Sequence, residues 1–239
     1  GYDGELAGDV TIPSKIGDDT VTAIGNNAFD GNEKITSVTI PEGVIRIGMG
    51  AFQECRQLAR VTLPSTLTNI GNYAFFCEDS LTTLTIPGSV KEIGDHTFSG
   101  CKNLKTLTLQ EGVERIGNCA FAGCESLTEV NLPSTLYYIE TLAFKTCVNL
   151  EQIVIPENST GKGTIIHHCS FEYCPKLKKV YFPKTLKTMG YPFTMMTKVE
   201  YLYYGGSKED WAKIERTDYD IDESITILYN KTPADMNAG

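Results

Sequence analysis

Eight phenylalanines divide this 239-residue chain into near-equal steps: Phe29, Phe52, Phe75, Phe98, Phe121, Phe144, Phe171 and Phe193. The first six stand 23 residues apart, and the last two steps are 27 (171−144) and 22 (193−171). A period this short constrains the fold severely. No unit of that length has enough apolar surface to fold alone, so the units must stack and complete one another's core. The expected product is a solenoid without internal domain boundaries, and a solenoid is first of all a display surface.

Each unit carries the same finer pattern. The cleanest begins Leu81, Leu84, Ile86, an L-x-x-L-x-L frame. It recurs at Ile35/Val38/Ile40, Leu58/Val61/Leu63, Leu104/Leu107/Leu109, Leu127/Val130/Leu132, Leu150/Ile153/Ile155, Leu177/Val180/Phe182 and Val199/Leu202/Tyr204. Apolar and polar residues alternate across its second half and many are β-branched, which predicts a short strand with one buried face. Proline closes most strands (Pro41, Pro64, Pro87, Pro133, Pro156, Pro183) because it has no N–H to continue a ladder; Gln110 is the exception. A second apolar pair follows, such as Val90/Ile93, and then usually a glycine: Gly48, Gly71, Gly94, Gly117. Those glycines predict a turn that needs glycine's backbone freedom. Stacking such units predicts one continuous parallel sheet with strands ~4.8 Å apart.

A net charge of −9, with no basic stripe, argues against nonspecific nucleic-acid binding, where cations must replace phosphate counterions. The acidic residues are spread evenly along the chain and suit a solubilising surface. No apolar run approaches the ~18 residues of a membrane helix. The chain opens at Gly1 within structured-looking sequence, so a trimmed or processed form is expected, and the lack of a leader there does not bear on its compartment.

The L-x-x-L-x-L-P start, the I-G-x-x-A-F centre and a Cys or Asn three residues after Phe together resemble the 23-residue BspA-like leucine-rich repeats, over about residues 10–205. Thr97 and Pro192 depart from the usual Ala before Phe, and coil 7 carries extra residues, Glu157 to Thr164. The resemblance implies a leucine-rich-repeat solenoid: a curved right-handed stack with a parallel sheet on its concave face and short strands, turns or 3-10 segments opposite. It also implies an N-terminal capping coil over 1–33, repeats over 34–197 and a C-terminal cap over 198–230. Residues 231–239 then read as a tail or linker. The cap rests on a Y-Y-x-G-[ST]-x-x-x-W-x-x-I element running from Tyr203 to Ile214, and a final strand at Ile225, Ile227 and Tyr229. By the same resemblance the chain is a non-enzymatic adhesion or protein-interaction module of a secreted or surface-attached bacterial protein. Its partners would be host or microbial surface or extracellular-matrix proteins, with no cofactor.

Five cysteines, Cys55, Cys101, Cys124, Cys147 and Cys174, take the position three after Phe, and Asn32 takes it in the first unit. Inside a turn they are expected as small packed free thiols, with disulfides between adjacent units as the alternative. Cys77, Cys119 and Cys169 lie off that ladder and are the likelier reactive thiols. His167-His168-Cys169 with Cys174 is the one cluster with zinc-like spacing, but a ladder cysteine faces inward, so the four side chains should diverge. His96 stands alone and reads as a solvated or capping residue. No G-x-S-x-G, H-E-x-x-H or G-x-G-x-x-G is present. Ser159 to Thr164 lacks the residues of a phosphate loop and reads as a flexible surface insertion. Nothing here assembles a nucleophile, acid or base with oriented partners.

The outward residues of the predicted strands form a threonine ladder (Thr83/Thr85, Thr106/Thr108) in the first half, suited to β-propensity and hydration. The second half is more varied: Glu129, Asn131, Gln152, Lys179, Tyr181, Tyr201 and Tyr203. Exposed tyrosines beside charges suit recognition, so these seven form the candidate ligand surface, for a protein or, through the tyrosines, a carbohydrate. The alternatives are tyrosines that only shield the solenoid end, a binding role for the Glu157–Thr164 insertion, and a spacer without a ligand.

Overall fold

The computed structural model describes residues 6–195, 197–217 and 221–237. The chain winds as about nine stacked coils with two strands each and almost no helix. We number coils 1 to 8 by their phenylalanine, Phe29 to Phe193, and call the capped last turn coil 9. The L-x-x-L-x-L frame forms the longer strands: Gly8–Thr11, Ile35–Thr39, Arg60–Thr62, Thr83–Ile86, Thr106–Leu109, Glu129–Asn131, Gln152–Val154, Lys179–Phe182 and Tyr201–Tyr204. Thr226–Leu228 adds a tenth at the C-terminal edge. Neighbours pair in parallel with like on like: Leu84 with Leu107, Leu107 with Val130, Val180 with Leu202.

This long-strand sheet is not continuous. It falls into three blocks, interrupted after Arg60–Thr62 and after Glu129–Asn131. Both interruptions follow a coil whose strand runs into Pro-Ser-Thr, at Pro64 and Pro133. The continuous sheet is the opposite one. There the second apolar pair forms two- to four-residue strands, from Ala23–Ile24 to Glu215–Arg216, in a single nine-stranded parallel array. Its inward isoleucines, Ile24, Ile47, Ile70, Ile93, Ile116 and Ile139, are all buried.

Between the sheets the phenylalanines form a spine. From Phe29 to Phe193 successive ring centroids lie 4.9, 5.2, 5.2, 5.6, 5.5, 5.7 and 6.0 Å apart, and every pair is stacked. One residue type at one position is required for this, because a smaller side chain leaves both neighbouring rings without a face to pack on.

Each of the first seven phenylalanines is flanked, two residues before and two after, by a residue in the left-handed region, and Phe193 on its C-terminal side alone. Before it stand Asn27, Gly50, Tyr73, His96, Cys119, Leu142 and Cys169, with φ between 52° and 60°. After it stand Gly31, Glu54, Cys77, Gly100, Gly123, Thr146, Tyr173 and Met195. These residues make the turn. The glycines expected to make it, Gly48, Gly71, Gly94 and Gly117, have ordinary φ and serve a different end. A Cβ on Gly48 would stand 2.6 Å from Asn26 N, and on Gly117 2.7 Å from Ile93 O. Gly48, Gly71 and Gly117 are glycine because the backbone of the preceding coil passes too close for a side chain, whereas at Gly94 the close atom is Asn72 Oδ1, 2.5 Å away. Gly25, which has no described coil before it, meets nothing within 4 Å.

On the proline edge a glutamate of one coil holds the next. Glu42 accepts from Ser65 N (2.9 Å) and Ser65 Oγ (3.1 Å), and Glu111 accepts from Ser134 N and Oγ at the same distances. Glu157 accepts from Lys184 N (2.7 Å) and Thr185 N (3.1 Å). The insertion after Glu157 is pinned, contrary to the expectation of a flexible loop. Asn158 is 7% exposed, its Nδ2 donates to Leu136 O (3.2 Å), and Lys162 Nζ donates to Glu114 Oε2 (2.5 Å) while lying over the Tyr137 ring. The loop therefore folds toward the short-strand side, away from the candidate ligand surface.

At the start of coil 1 an antiparallel pair, Lys15–Ile16 with Asp19–Thr20, takes up the extra length between Pro13 and Phe29, 16 residues against 11 from Pro41 to Phe52. Residues 1–5 of the expected N-terminal cap lie outside the described residues. At the other end a one-turn helix, Lys208–Trp211, opens on a capping box between Ser207 and Asp210. Trp211 packs edge-on against Tyr204, 5.0 Å between centroids. The segment expected as a tail is instead ordered where it is described: Pro233–Asn237 forms a 3-10 turn with Met236 buried. Residues 238–239 lie outside the described residues.

Candidate interaction surface

Long strands present their outward residues in rows that follow the pairing register. One row runs Thr83, Thr106, Glu129 and its neighbour Thr85, Thr108, Asn131, in the middle block. Here the polar side chains tie to one another: Asn131 Nδ2 donates to Glu129 Oε1 (3.1 Å) and Thr108 Oγ1 (3.4 Å). In the C-terminal block the rows are Gln152, Lys179, Tyr201, Thr226 and Val154, Tyr181, Tyr203, Leu228. The seven candidate residues thus share one face but belong to two blocks.

Four of the seven are exposed: Glu129, Asn131, Gln152 and Tyr201. Lys179 is half-buried. Tyr181 and Tyr203, expected as exposed rings, are 3% and 7% exposed. They point outward from the sheet as the frame predicts, but Met236 covers them, and Lys179 Nζ donates to Met236 O (2.7 Å). Tyr181 OH donates to Glu157 Oε1 (3.1 Å), and burial together with that carboxylate pushes its phenol pKa up. Tyrosine periodicity alone could not reveal a cover supplied by residues more than thirty positions downstream.

An open hollow of about 640 Å³ is lined by Thr128, Glu151, Gln152, Lys176, Lys178 and Lys179, so that of the exposed candidates it takes in Gln152. Its lysines are held apart by partners: Lys176 Nζ donates to Asn149 Oδ1 (2.7 Å) and Lys178 pairs with Glu200 (2.7 Å). At the other end of the face Asp9 accepts from Ser37 Oγ (2.5 Å) and lies 3.7 Å from Arg60. The Ser37 hydroxyl holds the Asp9 carboxyl below its ordinary range. Asp9 lies upstream of the frame that begins at Ile35, and the signal that places it is Val10-Thr11-Ile12-Pro13, which repeats Val38-Thr39-Ile40-Pro41.

All eight cysteines are free thiols. The ladder cysteines donate to the phenylalanine carbonyl of the preceding coil: Cys55 Sγ to Phe29 O (3.1 Å), Cys101 to Phe75 O (3.4 Å), Cys174 to Phe144 O (3.3 Å). In coil 8, Thr197 takes the same role toward Phe171 O (2.7 Å). Coil 3 is the exception that sequence reading missed. Counting three from Phe75 gives Glu78, which is fully buried. Its Oε1 accepts from Cys55 N (3.2 Å), and Oε2 has no hydrogen-bond partner among the described residues. Burial pushes its pKa up to about 9, so the side chain is a neutral acid at pH 7.

The off-ladder cysteines carry no mark of activation. Burial raises the thiol pKa of Cys77, Cys119 and Cys169, the opposite of a poised nucleophile. The histidines of the zinc-like cluster take separate partners: His167 Nδ1 faces Glu140 (3.6 Å), and His168 accepts from Tyr191 N (3.2 Å) and contacts Thr217 Oγ1 (2.7 Å). No group of three potential metal ligands forms among the described residues. His96 stacks on Tyr73, 4.8 Å between centroids.

Two parallel sheets closed by proline and phenylalanine turns, with an open polar face on the longer strands, define a leucine-rich-repeat solenoid. The BspA-type leucine-rich repeat region matches residues 22–150 and 93–211 in six copies, and the chain belongs to that family. Such repeats generally serve as protein-interaction or surface modules. A leucine-rich protein from Bacteroides ovatus has the same fold at 20% identity, with a TM-score of 0.63 over 96% of this chain and 71% of that one. A leucine-rich cell surface protein from Faecalibacterium prausnitzii matches at 22% identity and a TM-score of 0.54, over 91% of this chain. This chain spans 64% of that protein's length. No curated protein matches the sequence. No helix among the described residues is long and apolar enough to cross a membrane.

Proposed function

We propose that this chain is a non-enzymatic adhesion module of a secreted or cell-surface bacterial protein that binds protein partners, host or microbial, through the long-strand face of coils 6 to 8. One observation carries the reading. Glu129, Asn131 and Gln152 stand exposed on one face across two blocks of parallel strands, and Gln152 lines an open hollow rimmed by Lys176 and Lys178, which makes this a mixed-charge surface. Such a surface supplies many weak polar contacts without needing a cofactor or a deep pocket. Surface location is supported by the family and by the likeness to the Faecalibacterium cell surface protein. Carbohydrate binding is the second reading and now rests on Tyr201, which is 41% exposed, because Tyr181 and Tyr203 are covered.

The test is a screen of the purified chain against extracellular-matrix proteins and a glycan array, alongside a Glu129→Arg/Lys178→Glu variant with unchanged thermal unfolding. Protein binding that falls at least tenfold in the variant is the expected result. Glycan binding lost in Tyr201→Ala transfers the function to the second reading. Binding indifferent to every long-strand substitution defeats both, and silence on both arrays favours a spacer for a neighbouring module.

A further inference from the structure

We propose that the hollow between Tyr181 and Tyr203 is a recognition pocket for a short peptide turn carrying an unbranched apolar side chain, and that the chain's own segment Lys231 to Asn237 occupies it as a displaceable latch. This rests on the protein-interaction reading above and specifies one of its subsites. Val154, Leu228 and the two tyrosine rings form an apolar depression on an otherwise polar face, and Met236 fills it to 1% exposure. The rim adds a directional contact, since Lys179 Nζ takes the Met236 carbonyl. A flexible thioether in an aromatic pocket with one captured carbonyl is a peptide-recognition arrangement, and nothing in it requires the peptide to belong to the same chain.

The segment is built to arrive as a preformed turn. Asp235 accepts from Thr232 N (2.6 Å) and Thr232 Oγ1 (2.8 Å), and Asp235 N donates to Thr232 O. That cap sets the turn internally and joins neither sheet. The last backbone tie to the solenoid before the turn is Lys231 N to Tyr204 O (3.0 Å). The solenoid core does not depend on it: Tyr181, Tyr203 and Met236 form a cluster separate from the main core. Opening the latch therefore uncovers a pocket while leaving the coils stacked. A partner segment of the same chemistry would compete for the pocket in trans, and the effective concentration of the tethered turn would set the threshold it must exceed.

Methionine oxidation by peroxide, read by peptide mass in the intact wild-type chain, tests the opening with internal standards. Met189 is fully buried in the core, and Met195 and Met49 are 69% and 49% exposed. A displaceable latch predicts that Met236 oxidises at least tenfold faster than Met189 despite its burial; equal rates would overturn it. The pocket is tested with a labelled synthetic peptide reproducing residues 231–239 and a Met236→Asp variant. Expected is binding to the variant, at least tenfold weaker binding to wild type, and loss with a peptide in which Ala replaces Met. A folded variant that ignores the peptide refutes the pocket, and so does a variant whose core strands lose protection together with the turn, since the segment is then a structural cap. A protein partner from the screen that still binds through Glu129 and Lys178 would leave the broader reading standing in either case.

Discussion

Residue by residue, the repeat is kept by several different physical demands, and Glu78 is the position where one of them is broken. A carboxyl replaces the thiol of the ladder and is held neutral by burial. The sign of its effect follows from proton counts. Between the ordinary value of 4.5 and about 9 the folded chain holds a proton that the unfolded chain has released. Stability from this group is thus fully present below pH 4.5 and is lost as pH rises toward 9, by at most about 1.4 kcal/mol per pH unit. In urea melts at pH 5, 7 and 9 the advantage of Glu78→Gln over wild type should widen with pH; a constant gap would mean that Glu78 ionises normally. Thr146 is a β-branched residue at φ 60°. Because the left-handed region costs a residue with a Cβ about 1–2 kcal/mol, partly offset by glycine's chain entropy, Thr146→Gly should stabilise by roughly 0.5–1 kcal/mol. Gly117→Ala should do the reverse, by about 1–3 kcal/mol, because its Cβ meets backbone that cannot turn aside.

At the scale of elements, stability resides in stacks rather than in strands. A two-residue strand such as Arg115–Ile116 has no stability of its own and exists because Glu92–Ile93 and Tyr138–Ile139 pair on either side of it. The phenylalanine spine couples the coils through the interior in the same way. Phe98→Ala should cost about 3–5 kcal/mol and should raise hydrogen exchange in coils 3 and 5 as well as coil 4, since Phe75 and Phe121 each lose a stacked neighbour. The C-terminal element is held by a different device: Trp211 lies against Tyr204, with the Arg216 guanidinium 5.2 Å from its ring. Trp211→Ala should expose that end first. Exchange would rise in Lys179–Phe182 and Tyr201–Tyr204 while Thr83–Ile86 stays protected, and a uniform rise along the chain would contradict nearest-neighbour coupling.

At the scale of the molecule, two faces divide the work. The short-strand sheet is continuous through nine coils and carries the mechanical connection, whereas the long-strand sheet is broken into three blocks and carries the varied side chains. Each break leaves a row of outward residues free to differ from the row before it. The middle block ends on Glu129 and Asn131, and the next begins at Gln152 beside the lysine-rimmed hollow.

The amino-acid sequence alone determined the period, the parallel register, the inward residues and the family, because each rests on one residue type recurring at one position, where a local rule repeats without interference. It also placed Glu129, Asn131 and Gln152 on an exposed face. Three things were decided only by tertiary structure. Gly48 and Gly117 are glycine because another coil's backbone lies against them, a contact across one repeat that no local turn rule contains. The insertion is ordered because Asn158 and Lys162 reach back to coils 5 and 6. Tyr181 and Tyr203 are buried because Met236, outside every repeat, returns across the sheet to cover them. Periodicity reports that a glycine recurs without giving the contact that requires it, and the insertion and Met236 contacts join residues that occur only once.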